Sequence, residues 1–265
     1  MGAMVDAAVN WWRNVGLATQ ISIVAGVVGI EWATIALVGW LRRRKRERAA
    51  TLRQLGMVAQ ERGNLEEAEG LYQQSLKNEQ EVGDRRGVAE ALHLLGMVAQ
   101  DRGKLEQAEQ LYQQSLEIVR ELGEREAESA HLQELGRVAQ LRGKLEEAES
   151  FYDKSLQIER EVGNRRGEAQ SLHQLGTVAQ DRGNLEKAEK LYRESLEIKR
   201  EVGDRRGEAL TLAQMALLAE RLGNLPPGVE RMEQAYEMFE EMGMPEAEQA
   251  KADLARLRKR SEEEE

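Results

Sequence analysis

The sequence predicts an all-α protein: a single N-terminal transmembrane helix, then a superhelical solenoid of about five helix pairs closed by a capping helix. Three observations predict it. From Leu52 to Lys251 one 40-residue text recurs five times, opened by Leu52, Leu92, Leu132, Leu172 and Leu212. A fixed period of this size marks units that bury their apolar faces only against their neighbours. Ahead of the repeats, Val15–Leu41 runs for 27 residues with one charge, Glu31. The three prolines, Pro226, Pro227 and Pro245, all lie near the end, so no helical amide donor is lost before Leu225.

The front segment divides into a short extracytoplasmic stretch (1–14), a transmembrane helix (15–41) and a basic juxtamembrane helix (42–51). A helix of 27 residues spans roughly 40 Å, more than the ~30 Å hydrocarbon layer. Trp11, Trp12 and Trp40 flank the run, where amphipathic rings sit at headgroup level. Arg42, Arg43, Arg44, Lys45, Arg46 and Arg48 follow directly, which orients that end and the repeats to the cytoplasm and the N-terminus outside. The order of charge and apolar core is opposite to that of a cleavable signal peptide. Arg42–Thr51 holds mostly strong helix formers, so the membrane helix is expected to run straight into the first repeat. A flexible Arg-rich linker held on anionic lipid is the competing expectation.

Two features inside the span bear on self-association. Ala18, Ser22, Ala25, Gly26, Gly29, Ala33 and Ala36 recur at three- and four-residue intervals, a stripe along which a second helix approaches closely. Small residues are also common in membrane helices for no such reason. Glu31 falls near the bilayer midplane, where a carboxyl group is neutral, partnered or in contact with water. Ser22, Ala25, Gly26, Gly29, Glu31 and Ala33 are therefore candidate contacts of a homo-oligomer.

The repeats are helix pairs (52–91, 92–131, 132–171, 172–211 and 212–251). In the second, Asp84 is the N-cap of a helix whose apolar face holds Val88, Ala91, Leu92, Leu95, Val98 and Ala99. Gly103 ends that helix, Leu105, Ala108, Leu111, Tyr112, Leu116 and Val119 mark the next, and Gly123 ends it. Asn64 with Glu67 resembles a capping box. Gly56, Gly96, Gly136 and Gly176 stand mid-helix, where Gly costs about 1 kcal/mol against Ala, so another group must press there. Tyr72, Tyr112, Tyr152 and Tyr192 supply bulk between helices. Repeat five departs, with Ala216 for Gly, Gly228 for Ala, Met232 for Tyr and Pro226-Pro227 at its second helix, as terminal units do. Pro245 opens a last helix to about Lys259, and residues 252–265 end it in a frayed acidic tail.

Composition narrows the function. The chain has 265 residues, no Cys, three His and a formal charge of −10. Residues 1–49 hold seven Lys/Arg against three Asp/Glu, and the remainder 31 against 45, a net of +4 and of −14. An acidic, hydrated repeat region disfavours nucleic acid. Without Cys there is no disulfide framework, thiol nucleophile or thiolate metal site. No nucleophile–base pair, phosphate loop or carboxylate dyad stands outside the repeat text, so neither catalysis nor a cofactor is expected, and no metal site.

Leu-x-x-Leu-Gly, a small Ala and then Tyr, at these offsets, resembles the tetratricopeptide repeat, with Arg120, Arg160, Arg200 and Gln80 where the common 34-residue unit often has proline. The longer unit is similar to kinesin-light-chain repeats. The resemblance implies that the first helix of each pair lines a concave groove. Its residues here are Arg53, Met57, Gln60 and Glu61; His93, Met97, Gln100 and Asp101; Gln133, Arg137, Gln140 and Leu141; His173, Thr177, Gln180 and Asp181. Gln60, Gln100, Gln140 and Gln180 would make an amide ladder for a peptide backbone, or else survive from recent duplication. The Lys/Asn set with which some relatives clamp a C-terminal carboxylate is missing, and the groove is expected to suit a neutral or basic segment. The expected role is a membrane-anchored adaptor for protein or peptide partners. The rival is an oligomeric membrane effector or pore component assembled through Glu31 and the small-residue stripe.

Overall fold

A computed structural model describes residues 12, 15, 16, 19, 20 and 30–264. Among them eleven helices follow one another: α1 (Ile30–Glu61), α2 (Leu65–Val82), α3 (Arg85–Asp101), α4 (Leu105–Leu122), α5 (Arg125–Leu141), α6 (Leu145–Val162), α7 (Arg165–Asp181), α8 (Leu185–Glu201), α9 (Arg205–Arg221), α10 (Leu225–Glu241) and α11 (Glu246–Glu264). Helix–helix contacts divide the chain into two units, Met1–Val98 and Ala99–Glu265, with the boundary inside α3. In the first, α1 packs on α2; in the second, each helix from α5 to α10 packs on those before and after it.

The loops explain the period. Gly103 ends α3 at φ 71°, a left-handed conformation that an L side chain strains. Its counterparts recur every 40 residues, and a second set, Gly83, Gly123, Gly163 and Gly203, ends the intervening helices. Asp84, Asn164 and Asp204 cap the next helices by accepting from the amides of Gly87 (3.1 Å), Gly167 (3.2 Å) and Gly207 (2.9 Å). Asn64 does not cap α2 through its side chain; its amide donates instead to the Glu67 carboxylate at 2.7 Å, so the expected capping box is not formed. Pro226 lies in the first turn of α10, where its missing amide proton is not needed.

The mid-helix glycines Gly56, Gly136 and Gly176 make room for Tyr72, Tyr152 and Tyr192. Tyr72, Tyr112, Tyr152 and Tyr192 are buried, and a Cβ on Gly136 or Gly176 would stand 2.7 Å from the ring of Tyr152 or Tyr192. In repeat five Ala216 and Met232 stand at the corresponding positions and are buried. The capping helix turns Ala250, Leu254 and Leu257 inward, and it runs to Glu264, the acidic end staying helical beyond the Lys259–Glu263 pair.

At the other end, α1 runs unbroken from Ile30 through the basic stretch into the first repeat. Ile30–Leu41, the described part of the apolar run that this helix includes, forms its first twelve residues. No helix among the described residues is long and apolar enough to cross a membrane. Residues 17, 18 and 21–29 of the expected transmembrane segment, and with them Ser22, Ala25, Gly26 and Gly29, lie outside the described residues, as do the side chains of Glu31 and Ala33. Three of the basic residues are paired within the first unit: Arg43 with Glu47, Lys45 with Glu81 (2.5 Å) and Arg46 with Asp84 (3.2 Å). Arg44 lies over the Trp40 ring, 5.1 Å from its centroid.

Candidate partner-binding face

The first-helix residues are held in place by the columns behind them, and several are already engaged there. In the first unit Arg53 is half-buried and its guanidinium reaches Glu79 (2.6 Å) and Glu90 (3.0 Å). It neutralises a carboxylate that burial would otherwise push up in pKa, and Glu79 is still raised, chiefly by desolvation. Gln60 accepts from the Tyr72 hydroxyl at 3.1 Å. Met57 and Glu61 are exposed, His93 and Met97 half-buried.

In the second unit the tyrosine of each pair again seeks an amide twelve residues before it. The Tyr112 hydroxyl lies 3.4 Å from the Gln100 amide, and Tyr192 shares its one proton between Gln180 (3.3 Å) and Thr177 (3.1 Å). Buried tyrosine needs an acceptor, and the Gln column supplies it. The amide of Gln100, turned end for end, instead accepts from the Arg137 guanidinium at 2.9 Å. Gln140 is the exception. Its amide donates to Asp181 at 2.6 Å, and the buried Tyr152 hydroxyl has no hydrogen-bond partner among the described residues. The amide ladder is thus first an internal device. Gln133 donates to Ser171 at 3.2 Å, Arg137 pairs with Glu134, and Asp101, Arg137, Leu141 and Asp181 are exposed.

Behind this face lies a polar seam that reading the apolar positions alone misses. Ser75, Ser115, Ser155 and Ser195 are fully buried. Ser75 and Ser195 donate to the carbonyls of Ala49 (3.0 Å) and Ala169 (2.7 Å). Ser155 bonds Ser129 (2.9 Å) and Ser171 (3.0 Å), and Ser129 also donates to Glu159. Ser115 meets Nε2 of His131 at 2.6 Å, while Nδ1 of that ring faces the Ala127 carbonyl at 2.6 Å. A carbonyl only accepts, so Nδ1 carries the proton and Ser115 donates to Nε2. Burial holds the His131 pKa down, which keeps that tautomer neutral. The sequence signal was the Ser of Tyr-x-x-Ser-Leu, repeated as faithfully as the Tyr.

One buried column does not repeat: Glu79, Val119, Glu159, Lys199 and Phe239. Lys199 donates to Thr211 at 2.7 Å, and His173 Nδ1 stands 3.3 Å from the same oxygen. Thr211 gives its one proton to the Gly207 carbonyl (2.8 Å), so both bases donate to it. Burial pushes Lys199 down to about 8, and burial with Lys199 beside it pushes His173 down to about 3. Among the described residues no three His, Asp or Glu side chains are placed to hold a metal ion.

The repeat model that matches this sequence is the tetratricopeptide repeat, over residues 47–121, 126–201 and 167–241. The chain belongs to the tetratricopeptide repeat family. Among solved structures, this tetratricopeptide repeat (TPR) chain is similar to BtubC (BKLC) from P. vanneervenii: 19% identical, covering 87% of this chain and 93% of that one, TM-score 0.69. It is similar to a Podosopora anserina chain described as a kinesin light chain with nearly identical TPR-like repeats: 19% identical, 74% and 96% covered, TM-score 0.62. It is also similar to the Rap conjugation gene regulator of plasmid pLS20, solved with the Phr* peptide: 16% identical, 71% and 52% covered, TM-score 0.60. At these identities the likeness is one of TPR fold. No curated protein matches the sequence.

Proposed function

We propose that this protein is an interaction scaffold whose TPR first helices hold an extended segment of another protein. The observation that carries the proposal is the row of solvent-facing side chains along those helices. Met57, Glu61, Asp101, Arg137 and Asp181 stand exposed, while buried residues behind them are held by hydrogen bonds. A hydrogen-bonded seam with accessible groups in front is what peptide recognition uses, because preorganised groups lose little entropy on binding. The Rap regulator, of the same fold, is solved with a peptide.

Membrane anchoring through Val15–Leu41, with the repeats on the cytoplasmic side, is part of the same proposal and is supported by the sequence of that run and the cations after it. Affinity capture from detergent-solubilised membranes tests the scaffold role, comparing the wild type with Glu61→Lys/Asp101→Lys/Asp181→Lys. Partners retained by the first and lost by the second are expected. An identical set of captured proteins, or none above background, would falsify it. Alkaline extraction of the full chain tests the anchor, which is abandoned if the protein is released with peripheral proteins.

A further inference from the structure

We propose that the cleft at the start of α9 is a carboxylate-binding site, in which the ammonium group of Lys199 receives a carboxylate of the bound peptide. The proposal rests on the scaffold role and gives one part of the partner its chemistry.

The repeat itself shows what is missing there. Positions 53 and 79 face each other across the first helix pair, where a guanidinium meets a carboxylate at 2.6 Å. Three periods later the same two positions are His173 and Lys199, both bases, joined only through Thr211. Lys199 is 7% exposed, makes one hydrogen bond and has no ion pair among the described residues. A buried cation without a direct ion pair is an unfavourable arrangement in a protein interior. Asp204, the acidic group lining the cleft, favours the Lys199 charge through space but makes no ion pair with it and accepts from the Gly207 amide; Glu168 is held by Arg160 and Arg165, and Glu208 by Arg200.

The cleft has room for an acidic side chain. It encloses about 530 Å³, with Lys199 and His173 in its wall, Arg166, Arg205 and Arg206 around it and Leu210 as an apolar side. Arg205 leans to Glu241 and Arg206 to Glu246 at 3.7 Å, while Arg166 is exposed and makes no ion pair among the described residues. A carboxylate entering here would meet Lys199 and Arg166, which make no ion pair among the described residues, and charge-assisted bonds to Lys199 are the strong kind. On this proposal one position of an otherwise neutral or basic segment is acidic.

The test needs no natural partner, so its outcome is independent of the capture experiment. The full chain is titrated with N-acetyl-glutamate α-methylamide, with N-acetylglycine and with the neutral N-acetyl-glutamine α-methylamide, at constant ionic strength set with chloride. The imidazole ¹⁵N signals of His173, assigned by His173→Gln, report the site. A saturable shift with one or both carboxylates and none with the amide is expected. Response to the first identifies an Asp/Glu side chain as the source, response to the second a chain terminus. Lys199→Met should weaken the response at least about tenfold and Arg166→Gln by a smaller factor. The column holds Val119 and Phe239 in other repeats, so Lys199→Met is compatible with folding, and circular dichroism checks it. An equal response to amide or chloride, no saturable response, or an undiminished response in folded Lys199→Met overturns the proposal.

Discussion

Gly167 lies against the buried carboxyl group of Glu159 so closely that a Cβ at 167 would overlap it. Gly87 has the same relationship to Glu79. Repeat two shows the alternative, with Val119 in the acid's place and Ala127 in the glycine's. The two positions are coupled: a large polar side chain on the second helix requires a bare backbone eight residues later.

Gly167→Ala is therefore expected to destabilise the protein by about 1–3 kcal/mol through overpacking, although Ala is the better helix former. Glu159→Val in the same chain should recover much of that loss, because the pair then matches repeat two. Urea denaturation of the two single variants and the double variant measures the coupling. Additive effects would show that the two side chains do not compete for the same space.

Two tyrosines of one column should respond differently to loss of the hydroxyl. Tyr192 shares its proton between Thr177 and Gln180, whereas the Tyr152 hydroxyl is buried without a hydrogen-bond partner among the described residues. Tyr192→Phe should cost about 1 kcal/mol, and Tyr152→Phe should be neutral or stabilising by up to about 1 kcal/mol. Thermal melts side by side decide it, and equal losses would mean that Tyr152 has an acceptor after all.

Lys199 and His173 set opposite ends of a pH profile. The pKa of Lys199 falls from 10.5 to about 8 on folding, so between those values the unfolded chain holds more protons. Stability attributable to Lys199 then rises with pH through that window, and its full penalty is felt below about 8. For His173 the window is 6.5 to about 3: stability is present above it and is lost as pH falls through it. Lys199→Met should stabilise the unliganded protein near pH 7 by on the order of 1–3 kcal/mol and flatten the alkaline limb. Denaturation midpoints from pH 4 to 10 check both signs. No gain at neutral pH would show that the ammonium is solvated in the folded state.

Most of the helical architecture was legible because the residues that fix it are local. Gly103 and its counterparts end helices by backbone conformation, Asp84 starts one by its side chain, and the Tyr and mid-helix Gly advertise each other at a constant offset. The binding face was less legible. Its residues follow from the resemblance, which does not say which are engaged: Arg53 looks free in the sequence and is locked by Glu79, a residue 26 positions away. In the Gln column, Gln60 and Gln180 accept from the tyrosines twelve residues on, whereas Gln140 bonds Asp181. Lys199 was passed over because lysine on an amphipathic helix is usually solvated, and only the inward turn of its position reveals it as buried.

Five near-identical units raise a hazard that the unmatched interior positions answer. A chain whose modules share one text can fold with a helix of one module seated on the wrong neighbour, and tandem arrays are prone to that kind of misassembly. Here Glu79, Val119, Glu159, Lys199 and Phe239 make each module differ from the one beside it in its interior. A shift by one module would drive the methyl of Ala127 into a carboxyl group that Gly87 and Gly167 accommodate, and would leave Glu79 without Arg53. The odd residues of the core thus penalise a slip by one module along the array.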